Sequence, residues 1–322
     1  RSPMGSGLGL QMPDHAVSSS PAVQAQLDRL WALSPGADVL GLERIAALCA
    51  ALGNPERRLP PVFHVAGTNG KGSTCAFLRA CLEAAGHRVH AYTSPHLVRF
   101  NERIRVAGTL ITDDALAPLL AEVLDAAEAA GISASFFEVT TAAAFLAFSR
   151  TPADACVIEV GLGGRLDATN VIPAPLICGI ASLSIDHEAF LLAPEAGTPD
   201  DPVARIAFEK AGIAKPSVPL VTQAYAPRAA EAVAGVAARV GAPLLVRDRD
   251  WWLSEDGEGW RYRDAAGALA LPRPALPGAH QLSNAGLAVA MLRHQRMLDL
   301  PDAALAKGIS ATRWPARMQR MA

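Results

Sequence analysis

The chain has 322 residues, 51% of them hydrophobic, and a formal net charge of −2. That length supports one large α/β domain or two smaller ones around a sizeable core. The near-neutral charge argues against a nucleic-acid partner, which calls for a basic excess, and no apolar run approaches the ~18 residues of a membrane span.

Residues 1–20 lack the long apolar stretch of a secretory signal and read as a flexible tail. Helical periodicity follows over residues 23–31 and 42–52, joined by a Pro/Gly turn at residues 34–36. A short apolar strand at 61–66 leads through a glycine loop into a helix at 74–85, closed by Gly86 and followed by a strand at 88–92. This is a βαβ unit, which belongs in a parallel sheet. Further strands are expected at 155–160, 176–183, 220–223 and 244–247, with helices at 115–130, 140–149 and 228–240. Residues 251–264 read as a hairpin turning at Asp256-Gly257, residues 194–202 as a surface loop, and residues 281–296 as the last helix. The expected fold is α/β, a P-loop NTPase-type, mostly parallel sheet flanked by helices. Five cysteines, Cys49, Cys75, Cys81, Cys156 and Cys178, fall in apolar stretches without metal-type spacing. They read as buried free thiols of a cytoplasmic protein.

The stretch VFHVAGTNGKGST, residues 62–74, carries the chemistry. A strand, a glycine turn with a lysine, and two hydroxyls opening a helix together form a phosphate cradle. Glycines let backbone N–H groups converge on phosphate oxygens, and the helix start adds partial positive charge. Gly67, Thr68, Asn69, Gly70, Lys71, Gly72, Ser73 and Thr74 are the ATP-binding candidates. Lys71 is the mobile cation, and Ser73 can reach a magnesium ion. The spelling departs from the usual loop: Gly72 separates the lysine from the hydroxyls, and Val65 stands where the upstream glycine is expected.

Two later positions stand out on their own physics. Glu159 closes an otherwise apolar strand, where a charge is costly unless it is paired or metal-bound. The C-terminal ends of such strands are where α/β sheets bind ligands. His187 follows the 176–183 strand in the equivalent place. Lys210, beside Glu209, would ordinarily lie on a solvated helix face, and Asp167 in GLGGRLDATN would ordinarily be a turn residue.

The motif HVAGTNGKGS resembles the loop of folylpolyglutamate synthases and dihydrofolate synthases, within the Mur ligase superfamily. LGLERI, TSPHLVRFNERIRV, FFEVTTAAAF, EVGLGGRLDATN, SIDH, EKAGI and GAHQLSNAGLA follow in family order, so the resemblance spans about residues 27–317. It implies an ATP-dependent ligase that joins a carboxylate to L-glutamate, acting on dihydropteroate, a reduced folate or both. The resemblance assigns Ser73, Glu159 and His187 to one Mg²⁺. A second Mg²⁺ would lie on a carbamate formed at Lys210, and a monovalent cation is a further expectation. Catalytic roles fall to Lys71, Lys210 and His187. His280, Gln281, Asn284 and Arg317 join the ATP site, while Leu42, Ser94, His96, Phe137 and Asp167 border the folate or pteroate. A monomer is expected. Residues 21–308 would form the ATP- and pteroate-binding domain, and residues 309–322 a hinge toward a C-terminal domain that the chain lacks, so turnover by this chain is expected to be impaired. That hinge departs from the family's W-x-G-R form, with Ala316 in place of the glycine. Two rival readings are a peptidoglycan Mur ligase and a nucleotide-binding regulator without catalysis. LGLERI and LGGRLDATN weigh against the first, and the retained Glu159, His187 and Lys210 against the second.

Overall fold

The computed structural model describes residues 17–33, 40–184 and 195–314. Its spine is an eight-stranded sheet built from β1 (Val62–Ala66), β2 (Val89–Tyr92), β3 (Ile104–Val106), β4 (Thr109–Leu110), β5 (Ala155–Glu159), β6 (Ile177–Ile180), β7 (Leu220–Thr222) and β8 (Leu244–Val246), in the order β4-β3-β2-β5-β1-β6-β7-β8. The six strands from β2 to β8 across the sheet run parallel, while β3 and β4 form an antiparallel edge. The parallel α/β expectation therefore holds, and the edge is a finding beyond it. The chain turns back at Ala107-Gly108, where both residues have positive φ, so β3 and β4 join as a hairpin rather than through a crossover helix.

Alternate residues of each strand face opposite sides of the sheet. On one side Val62, Cys156 and Ile158 lie beneath α1 (Pro21–Leu33), α2 (Glu43–Ala51), α4 (Asp113–Ala129) and α5 (Phe136–Arg150). On that same side Ala66, Cys178 and Ile180 lie beneath α6 (Pro202–Ala211) and α7 (Pro227–Val240). The opposite side, with Phe63, Val65, Val157 and Ile177, is covered by α3 (Lys71–Ala84), α8 (His280–His294) and α9 (Asp302–Ala311). All five cysteines are buried and free, as their apolar surroundings predict.

Several boundaries move for identifiable reasons. Helix α5 starts at Phe136, earlier than apolar periodicity suggests, because Ser135 and Glu138 close a capping box. Strand β6 ends at Ile180, short of the expected 183, because Ser182 leaves the ladder to accept from the amide of Thr68. The expected hairpin turns through Gly257 and gains a third strand, giving a sheet of β9 (Trp251–Asp256), β10 (Gly259–Asp264) and β11 (Gly267–Pro272). A bidentate pair from Arg293 to Asp264, at 2.8 and 2.9 Å, ties that sheet to α8. Helix α9 was not anticipated. Gly308 lets it approach the α3 backbone so closely that a Cβ there would stand 2.5 Å from Cys81 Cα. No described helix is long and apolar enough to cross a membrane.

Candidate active site

The loop from Gly67 to Gly70 joins the C-terminal end of the central strand β1 to α3. Two positions demand glycine. Gly67 has φ of 148°, and a Cβ there would stand 2.8 Å from Cβ of Ala181; Gly70 caps α3 with φ of 85°, and a Cβ there would collide with the side-chain oxygen of Asn284. The loop is pinned to the segment after β6. The Thr68 amide donates to Ser182 O at 2.8 Å, the Thr68 hydroxyl donates to Ser184 O at 2.9 Å, and the Ser182 hydroxyl donates to Asn69 O at 3.1 Å. Lys71, the first residue of α3, curls back so that its Nζ donates to Gly67 O at 2.9 Å. The first amides of α3 have no acceptor within the helix. Helix end, glycine turn and ammonium thus lie together at one loop, an arrangement that suits an anion.

Residues of α8 buttress this loop from the side. Gln281 donates to the Ser73 hydroxyl at 3.2 Å, and Asn284 donates to Gln281 Oε1 at 3.0 Å; both are buried. His280 opens α8 and is exposed. Thr74 is buried on α3, with its amide donating to Gly70 O at 2.9 Å.

Glu159, at the end of β5, is 1% exposed and lies in register with Val65 on β1. Its Oε2 accepts from the Ser94 amide at 3.1 Å, which places the carboxylate between the phosphate loop and the segment after β2. Ser73 and Glu159 are oxygen donors, the class that Mg²⁺ takes. Among the described residues no group of three His, Cys, Asp or Glu could hold a metal ion. His187 and Arg317 lie outside the described residues.

Lys210 is 3% exposed, so it does not sit on a solvated helix face. The backbone of Gly164 presses on it: a Cβ there would stand 2.7 Å from Glu209 O and 2.9 Å from Lys210 O. Arg165 fastens the same contact, donating through its amide to Glu209 O at 2.8 Å and through its guanidinium to both Glu209 carboxylate oxygens at 3.0 Å. Arg205 donates to Glu209 from the other side at 2.9 Å. The GLGGRLDATN loop and the EKAGI helix end are thereby one rigid corner beside the ends of β5 and β1.

Asp167 is buried, and its carboxylate is drawn into its own loop. It accepts from the Leu162 amide at 2.8 Å, the Thr169 amide at 3.0 Å and the Thr169 hydroxyl. Burial pushes its carboxyl above the usual range, against those hydrogen bonds.

The remaining predicted residues gather on the α5 side. Phe137 is half-buried and its ring fills the space that a Cβ on Gly161 would need, 6.0 Å from the ring of Tyr92. Leu42 packs against the same core. His96 Nδ1 accepts from Arg103 at 2.9 Å, and the buried Arg103 guanidinium lies over Phe136 and Phe100, 5.3 and 5.8 Å from the ring centroids. Glu138 accepts from the Ser135 amide at 2.7 Å and from Arg44 at 3.0 Å, so it serves the helix start.

No protein-family model matches the chain, but individual relatives do. It is 37% identical over 294 residues to the dihydrofolate synthase/folylpolyglutamate synthase of Bacillus subtilis (strain 168), covering 87% of this chain and 66% of that protein. The solved structure of E. coli FolC in complex with DHPP and ADP superposes with a TM-score of 0.83 at 37% identity, covering 94% of this chain and 69% of that one. A bifunctional folylpolyglutamate synthase/dihydrofolate synthase with Mn, AMPPNP and L-glutamate bound gives a TM-score of 0.79 at 36% identity, with coverage of 94% and 69%. The chain belongs to the folylpolyglutamate synthase/dihydrofolate synthase family. It spans about two thirds of the length of the B. subtilis relative.

For this member of the folylpolyglutamate synthase/dihydrofolate synthase family, sequence reasoning missed His64, Thr169, Asn170, Ser182 and Ser184, all of which bind the loops around the site. His64 had a signal. It is a polar residue inside an apolar strand, the same feature that singled out Glu159. Ser184 opens the SIDH motif, whereas Ser182 had no signal, because its partner lies more than a hundred residues away.

Proposed function

We propose that this chain is the nucleotide- and pteroate-binding part of an ATP-dependent carboxylate–amine ligase that joins L-glutamate to dihydropteroate, to a reduced folate, or to both. The observation that carries this reading is the anion cradle at the end of β1 set beside the buried Glu159 at the end of β5. The E. coli relative, bound to DHPP and ADP, supports the choice of ligands.

In this reading Lys71 and the amides of residues 67–74 hold the β- and γ-phosphates of ATP, with His280, Gln281, Asn284 and Arg317 on the nucleotide side. Mg²⁺ held by Ser73, Glu159 and His187, with a second ion on a carbamate at Lys210, would neutralise phosphate charge. The substrate carboxylate oxygen attacks the γ-phosphorus in line, the bond to ADP breaks, and an acyl phosphate forms. The amine of glutamate then attacks the acyl carbon, loses a proton and expels phosphate, leaving an amide. Leu42, Ser94, His96, Phe137 and the Asp167 loop line the acid substrate, so the chain's contribution is positioning and charge stabilisation. Residues 21–308 supply the binding unit of a cytoplasmic monomer, and helix α9 carries its packing on through Ile309.

The test supplies ATP, Mg²⁺ and glutamate to the protein carrying the family's full length, with dihydropteroate and tetrahydrofolate offered separately, and reads product masses. One added glutamate on dihydropteroate marks a dihydrofolate synthase, and addition to tetrahydrofolate marks a polyglutamate synthase. Absence of new amide from both, with ATP still bound, refutes the ligase reading.

A further inference from the structure

His64 is the middle residue of β1, three positions before the phosphate loop, and it is wholly buried. Strand alternation puts it on the same side as Val62 and Ala66, which belong to two different cores, one beneath α1, α2, α4 and α5 and the other beneath α6 and α7. His64 thus stands at the seam between them, against the loop that follows β5. Its Nε2 lies 2.8 Å from the Thr169 hydroxyl. That hydroxyl has a single proton and gives it to Asp167 Oδ1, so toward His64 it must accept. The imidazole proton is therefore on Nε2, and Nδ1, which has no hydrogen-bond partner, is a bare lone pair rather than a stranded N–H.

The chain of donation runs from His64 through Thr169 to Asp167, whose other carboxylate oxygen holds the Leu162 amide at 2.8 Å. The far end of the same loop is held by different partners. Asn170 donates to Arg165 O at 2.9 Å and to Gly212 O at 3.0 Å, and Lys215 donates to Asn170 O at 3.0 Å. An apolar residue at 64 would fill the seam without the cost of burying an imidazole. A buried polar chain instead fixes one arrangement of the groups it joins.

We propose that His64 is a positioning residue, which through Thr169 and Asp167 sets the loop of residues 161–171 against the strand that carries the phosphate cradle. The functional consequence rests on the reading above, in which this loop borders the acid substrate. Loss of the link should loosen the acid substrate and leave the nucleotide in place.

The test begins with nitrogen-edited NMR of the imidazole in this protein. A neutral ring protonated on Nε2 is expected; a ring protonated on Nδ1, or charged at neutral pH, overturns the proposal. His64→Leu and Thr169→Val are then compared with His64→Gln, which keeps a donor, by amide hydrogen exchange and by titration with ADP and with dihydropteroate. Both link-breaking variants should speed exchange at the Leu162 and Thr169 amides about tenfold or more. They should weaken dihydropteroate about tenfold, with ADP changed less than about twofold, and His64→Gln should recover most of both losses. Unchanged exchange, or equal weakening of both ligands, refutes the positioning role. A wild-type chain that binds ADP and no dihydropteroate would refute the folate reading alone, because the tautomer and exchange measurements still decide the role of His64.

Discussion

Gly70 and His64 show how single residues set the site. Gly70 combines a left-handed backbone with direct apposition to Asn284. Gly70→Ala should therefore distort the cradle and weaken ADP by about tenfold or more, readable by calorimetric titration. His64 predicts a pH dependence. Burial, with the positive charge of Lys215 adding to it, pushes its pKa from 6.5 down to about 3. Between those values the unfolded chain takes up a proton that the folded chain refuses. The folded state is therefore favoured fully above pH 6.5 and loses stability as pH falls, by up to about 1.4 kcal/mol per pH unit. Burial lowers the pKa of His90 as well, so it adds a contribution of the same sign. Urea unfolding from pH 7 to 4 should show a shallower acid loss in His64→Gln than in the wild type, and identical slopes would refute the assignment.

Two elements carry predictions of their own. The start of α5 depends on the Ser135–Glu138 capping box, and Ser135→Ala should cost about 1 kcal/mol in denaturant unfolding. The end of α6 depends on Glu209, which is 5% exposed at the side chain and paired to Arg205 and Arg165. Glu209→Gln leaves Arg205 with Glu195 and the Thr198 hydroxyl but removes the buried charge between the two guanidiniums, and should cost about 2 kcal/mol, read by the same unfolding midpoint. At this scale the sequence was legible where one local signal dominates. The strand before Lys71 and the amphipathic α7 match their expected bounds to within a residue, because periodicity and glycine placement are local, while α3 starts at Lys71, three residues before the expected 74. Strands β3, β4 and β11 and helix α9 were not legible. They are short or weakly patterned, and they exist because a neighbouring strand or the α3 backbone completes them.

Across the whole molecule, the strand order brings the ends of β1, β5 and β6 side by side, so loops far apart in sequence share one rim. A ligand held there by residues of several elements binds the folded state and not the unfolded one. ADP should therefore raise the melting temperature progressively with concentration, with a gain of about 2.7 kcal/mol at a hundredfold excess over Kd. Lys71→Ala should abolish most of that rise, and an ADP-independent melt in the wild type would contradict nucleotide binding at this site.

The sequence by itself determined the parallel α/β class, the phosphate loop and the family, because each rests on residues contiguous in the chain. It also marked Glu159, through polarity within an apolar pattern, as a charge that needs a partner, and Glu159 is buried. Only the tertiary structure decided what these residues touch. It turned Asp167 into its own loop, gave Lys210 a buried place under Gly164, set Asn284 beneath Gly70, and joined His64 to Thr169 across a sequence separation of 105 residues. Side-chain type reports the cost of burying a group, which is a local property. The partner that offsets the cost is chosen by strand order and helix packing, which no local pattern encodes.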